Sequence, residues 1–210
     1  MKISTPVTRM LNMQYLLYLP DDYQKSDKDY PLVLFLHGSG ERGDDIEKVK
    51  IHGPARLAAE GKSFPFILVS PQCPDGQWWN AEDLMSLLQE LKKSLRVDEK
   101  RIIVTGLSMG GFGTFDLIAK YPQEFAAALP VCGGGEPRAM RVIGTMPVWV
   151  FHGAKDPVVD IKRSQDMVDA IKSFGGNVQF TIYPEAGHDS WTETYNNPTI
   201  YEWMMEQKRP

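Results

Sequence analysis

The feature that most constrains this chain is Gly106-Leu107-Ser108-Met109-Gly110, set between a strand-like run and a helix-like run. Arg101-Ile102-Ile103-Val104-Thr105 before it is short, apolar and β-branched, the composition of a buried strand. Behind it, Phe115, Leu117, Ile118 and Tyr121 recur at helical spacing after Gly110, Gly111 and Gly113. A serine on so tight a strand-to-helix turn must take a strained backbone, and flanking glycines remove the Cβ atoms that would collide there. The turn lifts the hydroxyl to the carboxyl edge of the sheet, where the amides of the following helix also point. Ser108 is therefore expected to be a nucleophile.

Around this turn, strand and helix signals alternate, which predicts a mostly parallel sheet of about seven to eight strands with helices on both faces. Strands are expected over 13–19 (antiparallel), 30–36, 66–70, 101–105, 125–131, 147–151 and 178–183. Helices are expected over 80–95, where Leu84, Leu87, Leu88, Leu91 and Leu95 share a face, and over 161–174 and 199–207. No repeat or linker interrupts the chain, so residues 1–210 are expected to form a single domain.

A nucleophilic serine needs a base, and the base needs an orienting acid. In a strand–turn–helix architecture of this kind the chain order is Ser, then Asp or Glu, then His. Asp156 follows the predicted strand 147–151, and His188 follows the strand 178–183. Both then lie on loops at the edge that carries Ser108. Of the four histidines, His37 and His152 each end a strand and are expected to be packed, while His52 suits a surface or helix-start position. Asp160 is the main rival acid but is placed to cap the helix from Ile161. Asp189 is too close in sequence to fold back onto the His188 ring.

Two backbone N–H groups should face the oxygen that gains charge during acyl transfer. One is expected from Met109, and the other from the loop His37-Gly38-Ser39-Gly40 after the strand 30–36. Ser39 or Gly40 is the candidate there, with Ser39 favoured. The loop is not a phosphate loop, because the lysine and Ser/Thr that would follow one are missing.

The runs Leu34-Phe35-Leu36-His37-Gly38-Ser39-Gly40-Glu41-Arg42-Gly43-Asp44, Pro71-Gln72-Cys73-Pro74, Gly106-Leu107-Ser108-Met109-Gly110-Gly111, Phe151-His152-Gly153-Ala154-Lys155-Asp156 and Gly187-His188-Asp189-Ser190-Trp191, with Trp78-Trp79, resemble the small α/β-hydrolase carboxylesterases. Within these the likeness is to the predicted-peptidase or phospholipase/carboxylesterase-like group, which includes feruloyl-esterase-like and prolyl-oligopeptidase-like members. It runs from about Tyr15 to Lys208. It implies an α/β-hydrolase fold, Ser108 as nucleophile, His188 as base, Asp156 as orienter, and Ser39 and Met109 as oxyanion donors. It does not identify the substrate.

Composition excludes other classes. Hydrophobic residues make up 42% and charged residues 24%, ordinary for a globular protein. A net charge of −4 predicts neither a nucleic-acid nor an anionic-membrane partner. No apolar run approaches the roughly 20 residues that span a bilayer. Met1-Lys2-Ile3-Ser4-Thr5-Pro6 lacks the apolar core of a secretory leader, so a cytoplasmic location is expected unless the chain has been trimmed. Cys73 and Cys132 are expected to be buried free thiols, and the scattered histidines predict no metal site. No cofactor is expected, and the oligomeric state is left open.

The cleft walls are less defined. Trp78 and Trp79 lie in a loop on the catalytic edge and, with Gly40, are candidates for contacting substrate, the rings by stacking on an aromatic or sugar group. Either ring can instead pack its own loop, and Trp191 beside His188 reads as structural. Glu41, Arg42, Asp44 and Asp45 suggest a local salt-bridge network. Residues 132–146 leave room for only a short helix, so no lid domain is expected, and an open cleft for a soluble ester follows. Together these readings predict a serine carboxylesterase for short-chain or aromatic esters of feruloyl or acetyl type. A peptidase or amidase would use the same three side chains, an acyl-CoA thioesterase would want a basic cluster that is not evident, and a non-catalytic binding protein would not need the three.

Overall fold

The structure, a computed structural model, describes residues 10–210; the leader reading of residues 1–6 lies outside them. Among the described residues seven strands form one sheet: β1 (Tyr15–Tyr18), β2 (Tyr30–Leu36), β3 (Ile67–Pro71), β4 (Val97–Leu107), β5 (Ala127–Val131), β6 (Val148–Gly153) and β7 (Val178–Tyr183). Their spatial order is β1-β3-β2-β4-β5-β6-β7. Only β1 runs antiparallel to its neighbour, pairing Tyr15 with Pro71 and Tyr18 with Leu68. The fold is that of an α/β hydrolase.

The strands read as continuous apolar runs because both faces of the sheet are covered. Alternate side chains separate into two cores. Leu32, Leu34, Ile102, Val104, Ala128 and Val150 face α2 (Ala81–Ser94), α3 (Met109–Lys120) and α4 (Lys162–Ser173). Val33, Phe35, Ile103, Leu129 and Phe151 face the other way, toward α1 (Gly53–Ala59), α5 (Trp191–Asn196) and α6 (Thr199–Glu206). α2 starts at an Asn80 cap whose side chain accepts the Asp83 amide, and it buries Leu84, Leu87, Leu88 and Leu91. Leu95 falls just beyond its end. Among the described residues no helix is long and apolar enough to cross a membrane.

The chain leaves β2 toward β3 on one side and returns to β4 on the other. The order therefore reverses between β2 and β4, and α/β sheets open a crevice at the carboxyl ends of such a pair. The loop from His37 and the turn at Ser108 emerge there side by side. Their approach is close: a Cβ on Gly110 would lie 1.9 Å from the Leu36 carbonyl oxygen, and one on Gly106 would lie 2.4 Å from the Gly110 carbonyl oxygen. Only glycine lets α3 start this near the end of β2.

Two short helices and part of a strand differ from the sequence expectation. β4 begins at Val97, which pairs with Tyr30 before a register shift, and the charged Asp98, Glu99 and Lys100 within that shift carry no apolar signal. α1 opens on Gly53-Pro54, a pair that reads as a turn, yet proline is acceptable in the first turn of a helix. α5 is six residues long, too short for periodicity to register. Residues 132–147 hold a 3-10 helix, Pro137–Ile143.

Gly110→Ala is expected to lower unfolding free energy by more than about 3 kcal/mol, since backbone rather than a flexible side chain must move. Gly40→Ala, where a Cβ meets nothing within 4 Å, should stay within about 1 kcal/mol of wild type. Urea denaturation of the two variants compares them; equal midpoints would contradict the packing of this turn.

Candidate active site

Ser108 occupies the turn between β4 and α3 with φ 51° and ψ −116°, left-handed backbone that a non-glycine residue adopts at a cost of about 1–3 kcal/mol. Hydrogen bonds on both sides hold it there. Its amide donates to Val131 O at 2.9 Å, and its carbonyl accepts the Phe112 amide at 3.1 Å. Its hydroxyl lies 3.0 Å from His188 Nε2.

His188 sits on the loop after β7, and its Nδ1 is 2.7 Å from Asp156 Oδ2. A carboxylate only accepts, so Nδ1 carries the proton and Nε2 is left to accept from Ser108. Trp191 meets the His188 ring edge-on, with centroids 5.1 Å apart. Asp156, on the loop after β6, is saturated with donors. Its Oδ1 accepts the Val158 and Val159 amides at 2.8 and 2.9 Å. Its Oδ2 also faces His152 Nε2 at 3.1 Å. Burial pushes the Asp156 carboxyl up, but the His188 hydrogen bond and the two amides outweigh it and hold it below the usual range. The rival acids are engaged elsewhere: Asp160 accepts the Lys162 amide at 2.9 Å at the start of α4, and Asp189 accepts from Thr192 N and Oγ1 at 3.0 Å each.

Met109 is the first residue of α3, and Ser39 the first of a 3-10 helix, Ser39–Glu41. The first amides of a helix have no acceptor inside it. The Ser39 amide belongs to the same planar peptide as the Gly38 carbonyl, so the two point in opposite directions. His37 fixes that plane. Its Nδ1–H donates to Gly38 O at 2.6 Å, while its Nε2 accepts the Cys73 amide at 3.0 Å. The carbonyl of His37 in turn accepts Trp79 Nε1–H at 3.0 Å. His37 is fully buried, and burial pushes its pKa down to about 4, only partly offset by the Gly38 carbonyl.

The tryptophan pair divides, and one expectation, the salt-bridge network, needs correction. Trp79 is 8% exposed and packs edge-on against the His37 ring at 4.8 Å, so it braces the loop, the packing role that the sequence also allowed it. Trp78 is 64% exposed and meets Phe112 edge-on at 6.0 Å. Among the described residues, the charged residues after Gly40 do not form a salt-bridge network. Arg42 donates to the carbonyls of Ser39 and Gln77 at 3.0 and 3.1 Å, tying the two loops together, and Asp45 caps a 3-10 helix. Glu41 is buried between His37 Nδ1 at 3.9 Å and His52 Nε2 at 3.8 Å. Ser39 and Gly40 are exposed at the rim.

Both cysteines are free and buried; burial pushes Cys73 up to about 11 and Cys132 up to about 12. Cys132 takes φ 41°, and its Sγ lies within 4.8 Å of ligand atoms of Asp156 and His188. These three are the grouping among the described residues able to approach one cation, although the Asp156–His188 hydrogen bond already links two of them. The sequence marked Cys132 as a buried thiol and His152 as packed, but not that both would stand beside Asp156, because that depends on how β5 and β6 end side by side.

Fold and geometry together define a chain of the α/β-hydrolase class. Residues 77–202 match the dienelactone hydrolase family, and the chain belongs to that family. A thermostable esterase of known structure is 34% identical, with a TM-score of 0.80 over 94% of this chain and 60% of that one. The bifunctional acetylxylan esterase/xylanase XynS20E of Neocallimastix patriciarum is 24% identical over 82% of this chain and 26% of its own length. Dipeptidyl-peptidase 5 of Porphyromonas gingivalis is 30% identical over 90% of this chain and 34% of its own length. The chain spans less than two thirds of each of these relatives.

The buried His37 makes stability depend on pH. An unfolded histidine titrates near 6.5, so between about pH 6.5 and 4 the unfolded chain binds the proton that folded His37 refuses. This contribution is complete above pH 6.5 and is lost as pH falls toward 4, by roughly 3 kcal/mol. Urea titrations at pH 7 and 4.5 should show a smaller fall for His37→Gln than for wild type. Equal falls would mean that His37 is not held neutral.

Proposed function

We propose that the chain is a serine carboxylesterase acting on small esters with short-chain or aromatic acyl groups. The observation that carries this is the unbroken line from Ser108 Oγ through both nitrogens of His188 to Asp156, with spans of 3.0 and 2.7 Å. That line does the chemistry as follows. His188 Nε2 takes the hydroxyl proton as Ser108 Oγ bonds to the ester carbonyl carbon, and Asp156 stabilises the imidazolium. The oxygen that becomes negative accepts from the Met109 and Ser39 amides, each worth about 3 kcal/mol in sites of this kind. The imidazolium returns its proton to the departing alcohol. Water then enters, gives its proton to His188 Nε2, and releases the acid from Ser108 by the same sequence. Gly40 and Trp78 border the entering substrate.

The ester rather than amide assignment draws on the family and on the esterase relatives. An exposed Trp78 suits acyl groups that are flat or small, and residues 132–147 raise nothing larger than a 3-10 helix over the site. A small-molecule ester met in the cytoplasm is the corresponding natural setting. The second reading, a peptidase, is favoured by the likeness to dipeptidyl-peptidase 5. It differs in the leaving group, since an amine must be protonated as it departs.

Hydrolysis of p-nitrophenyl acetate, butyrate and octanoate, beside aminoacyl p-nitroanilides, tests the proposal. Ser108→Ala is expected to lose at least about 10⁴-fold in kcat, and Asp156→Asn about 10⁴-fold. The wild-type rate should fall on the acid side, because the base must be neutral to take the hydroxyl proton. Anilide turnover without ester turnover would establish the peptidase, and ester turnover surviving Ser108→Ala would refute the mechanism.

A further inference from the structure

One neighbour of the Asp156 carboxylate takes no part in the reaction scheme. The Asp156 side chain is fully buried, and its Oδ1 is occupied by the Val158 and Val159 amides. Oδ2 is left for His188, whose Nδ1 stands 2.7 Å away. That same oxygen lies 3.1 Å from Nε2 of His152, a second imidazole, fully buried at the end of β6. The hydrogen of His152 can be placed from its partners. Nε2 faces the Val159 carbonyl at 2.9 Å as well as Oδ2, and both of these only accept, so Nε2 carries a hydrogen. Nδ1 meets the Ser164 hydroxyl at 2.8 Å, a group that gives or takes a hydrogen bond and so leaves this assignment unchanged. The Val159 carbonyl is the nearer acceptor, and Oδ2 lies beside the same positive N–H edge.

We propose that His152 is a positioning residue for the reaction: its Nε2–H draws on the charge of Asp156 Oδ2 and thereby sets how firmly that oxygen holds the His188 imidazolium. The inference rests on the serine mechanism proposed above and deepens it. A donor beside a carboxylate stabilises the charged form, and an oxygen whose charge is partly drawn off is a weaker acceptor for the next donor. Solvent does not reach the Asp156 side chain, so the pull of the second ring is little screened. An imidazolium held less firmly returns its proton to the departing alcohol more readily. The other titratable and charged groups nearby are engaged elsewhere or carry no charge. Cys132 Sγ stands within 4.8 Å of ligand atoms of Asp156 and His188, but burial pushes the thiol up to about 12. Asp189 is turned to Thr192, Asp160 to the Lys162 amide, and Glu185 to Lys155. His52 stands beyond Trp191, 5.3 Å from the indole, with Glu41 beside it. Among the described residues, Oδ2 thus faces the ring nitrogens of His188 and His152.

The test is the pH profile of kcat/KM for p-nitrophenyl acetate in wild type, His152→Asn and His152→Gln. Asparagine sets its amide where Nδ1 stands and cannot reach Asp156, whereas glutamine sets its amide where Nε2 stands and keeps a donor there. Without the second donor Asp156 holds the imidazolium more firmly, so the acid limb is expected to move up by about half a pH unit or more in His152→Asn. His152→Gln should leave the limb in place. A purely structural histidine would instead lower the rate at every pH in both variants with the limb unmoved, and that result, or a downward move, would overturn the proposal. Should His152→Asn fail to fold, long-range 1H–15N correlations of the wild type decide: a hydrogen on His152 Nε2 is expected, and a bare Nε2 would overturn the proposal. Acetate turnover lost in Ser108→Ala establishes the esterase separately. If wild type turns over no acetate, the esterase reading fails, and the rate of fluorophosphonate labelling of Ser108 supplies the same three profiles.

Discussion

The whole site depends on one backbone contact, the seating of the first turn of α3 against the end of β2. Gly110 lies so close to the Leu36 carbonyl that a single methyl group would collide with it. The contact fixes where α3 begins, and the residue before that start, Ser108, must absorb the change of direction in its own φ and ψ. The strain is stored at the residue proposed to react, and it is retained because the sheet over-determines the turn from both sides. The same contact sets the amide of Met109 beside the loop that leaves β2. A looser turn would separate the two proposed oxyanion donors even if every side chain were unchanged.

Around that turn the structure uses histidines for different tasks, and the difference comes from what each ring faces. His188 has a carboxylate on one nitrogen and a hydroxyl on the other. His37 has a carbonyl on one nitrogen and an amide on the other, so both of its bonds hold backbone in place and neither is free to take a proton. His152 stands between Asp156, Ser164 and Val159, where it anchors the loop that carries the acid. A buried imidazole with two backbone partners keeps one tautomer, and with it the direction of the Gly38–Ser39 peptide.

Much of this was legible in the chain, for identifiable reasons. Strands buried on both faces leave apolar runs that need no periodicity to be seen, as Tyr30–Leu36 and Ala127–Val131 illustrate. The order Ser108, Asp156, His188 could be read because each follows a strand that ends at the same edge. What could not be read depends on long-range packing. Nothing local separates Trp78 from Trp79, yet the sheet edge buries one and leaves the other exposed. Glu41 and Arg42 look like surface charges until the neighbouring loops close over the first and offer carbonyls to the second.

The central claim is that Ser108 is made nucleophilic by His188 and Asp156. The most direct measurement is labelling by a fluorophosphonate, read by intact mass and peptide mapping, because it reports the serine without reference to any natural substrate. The account predicts one equivalent of label on Ser108 in wild type and a rate that collapses in His188→Ala. Label on another residue, or unchanged labelling of Ser108 without His188, would contradict it.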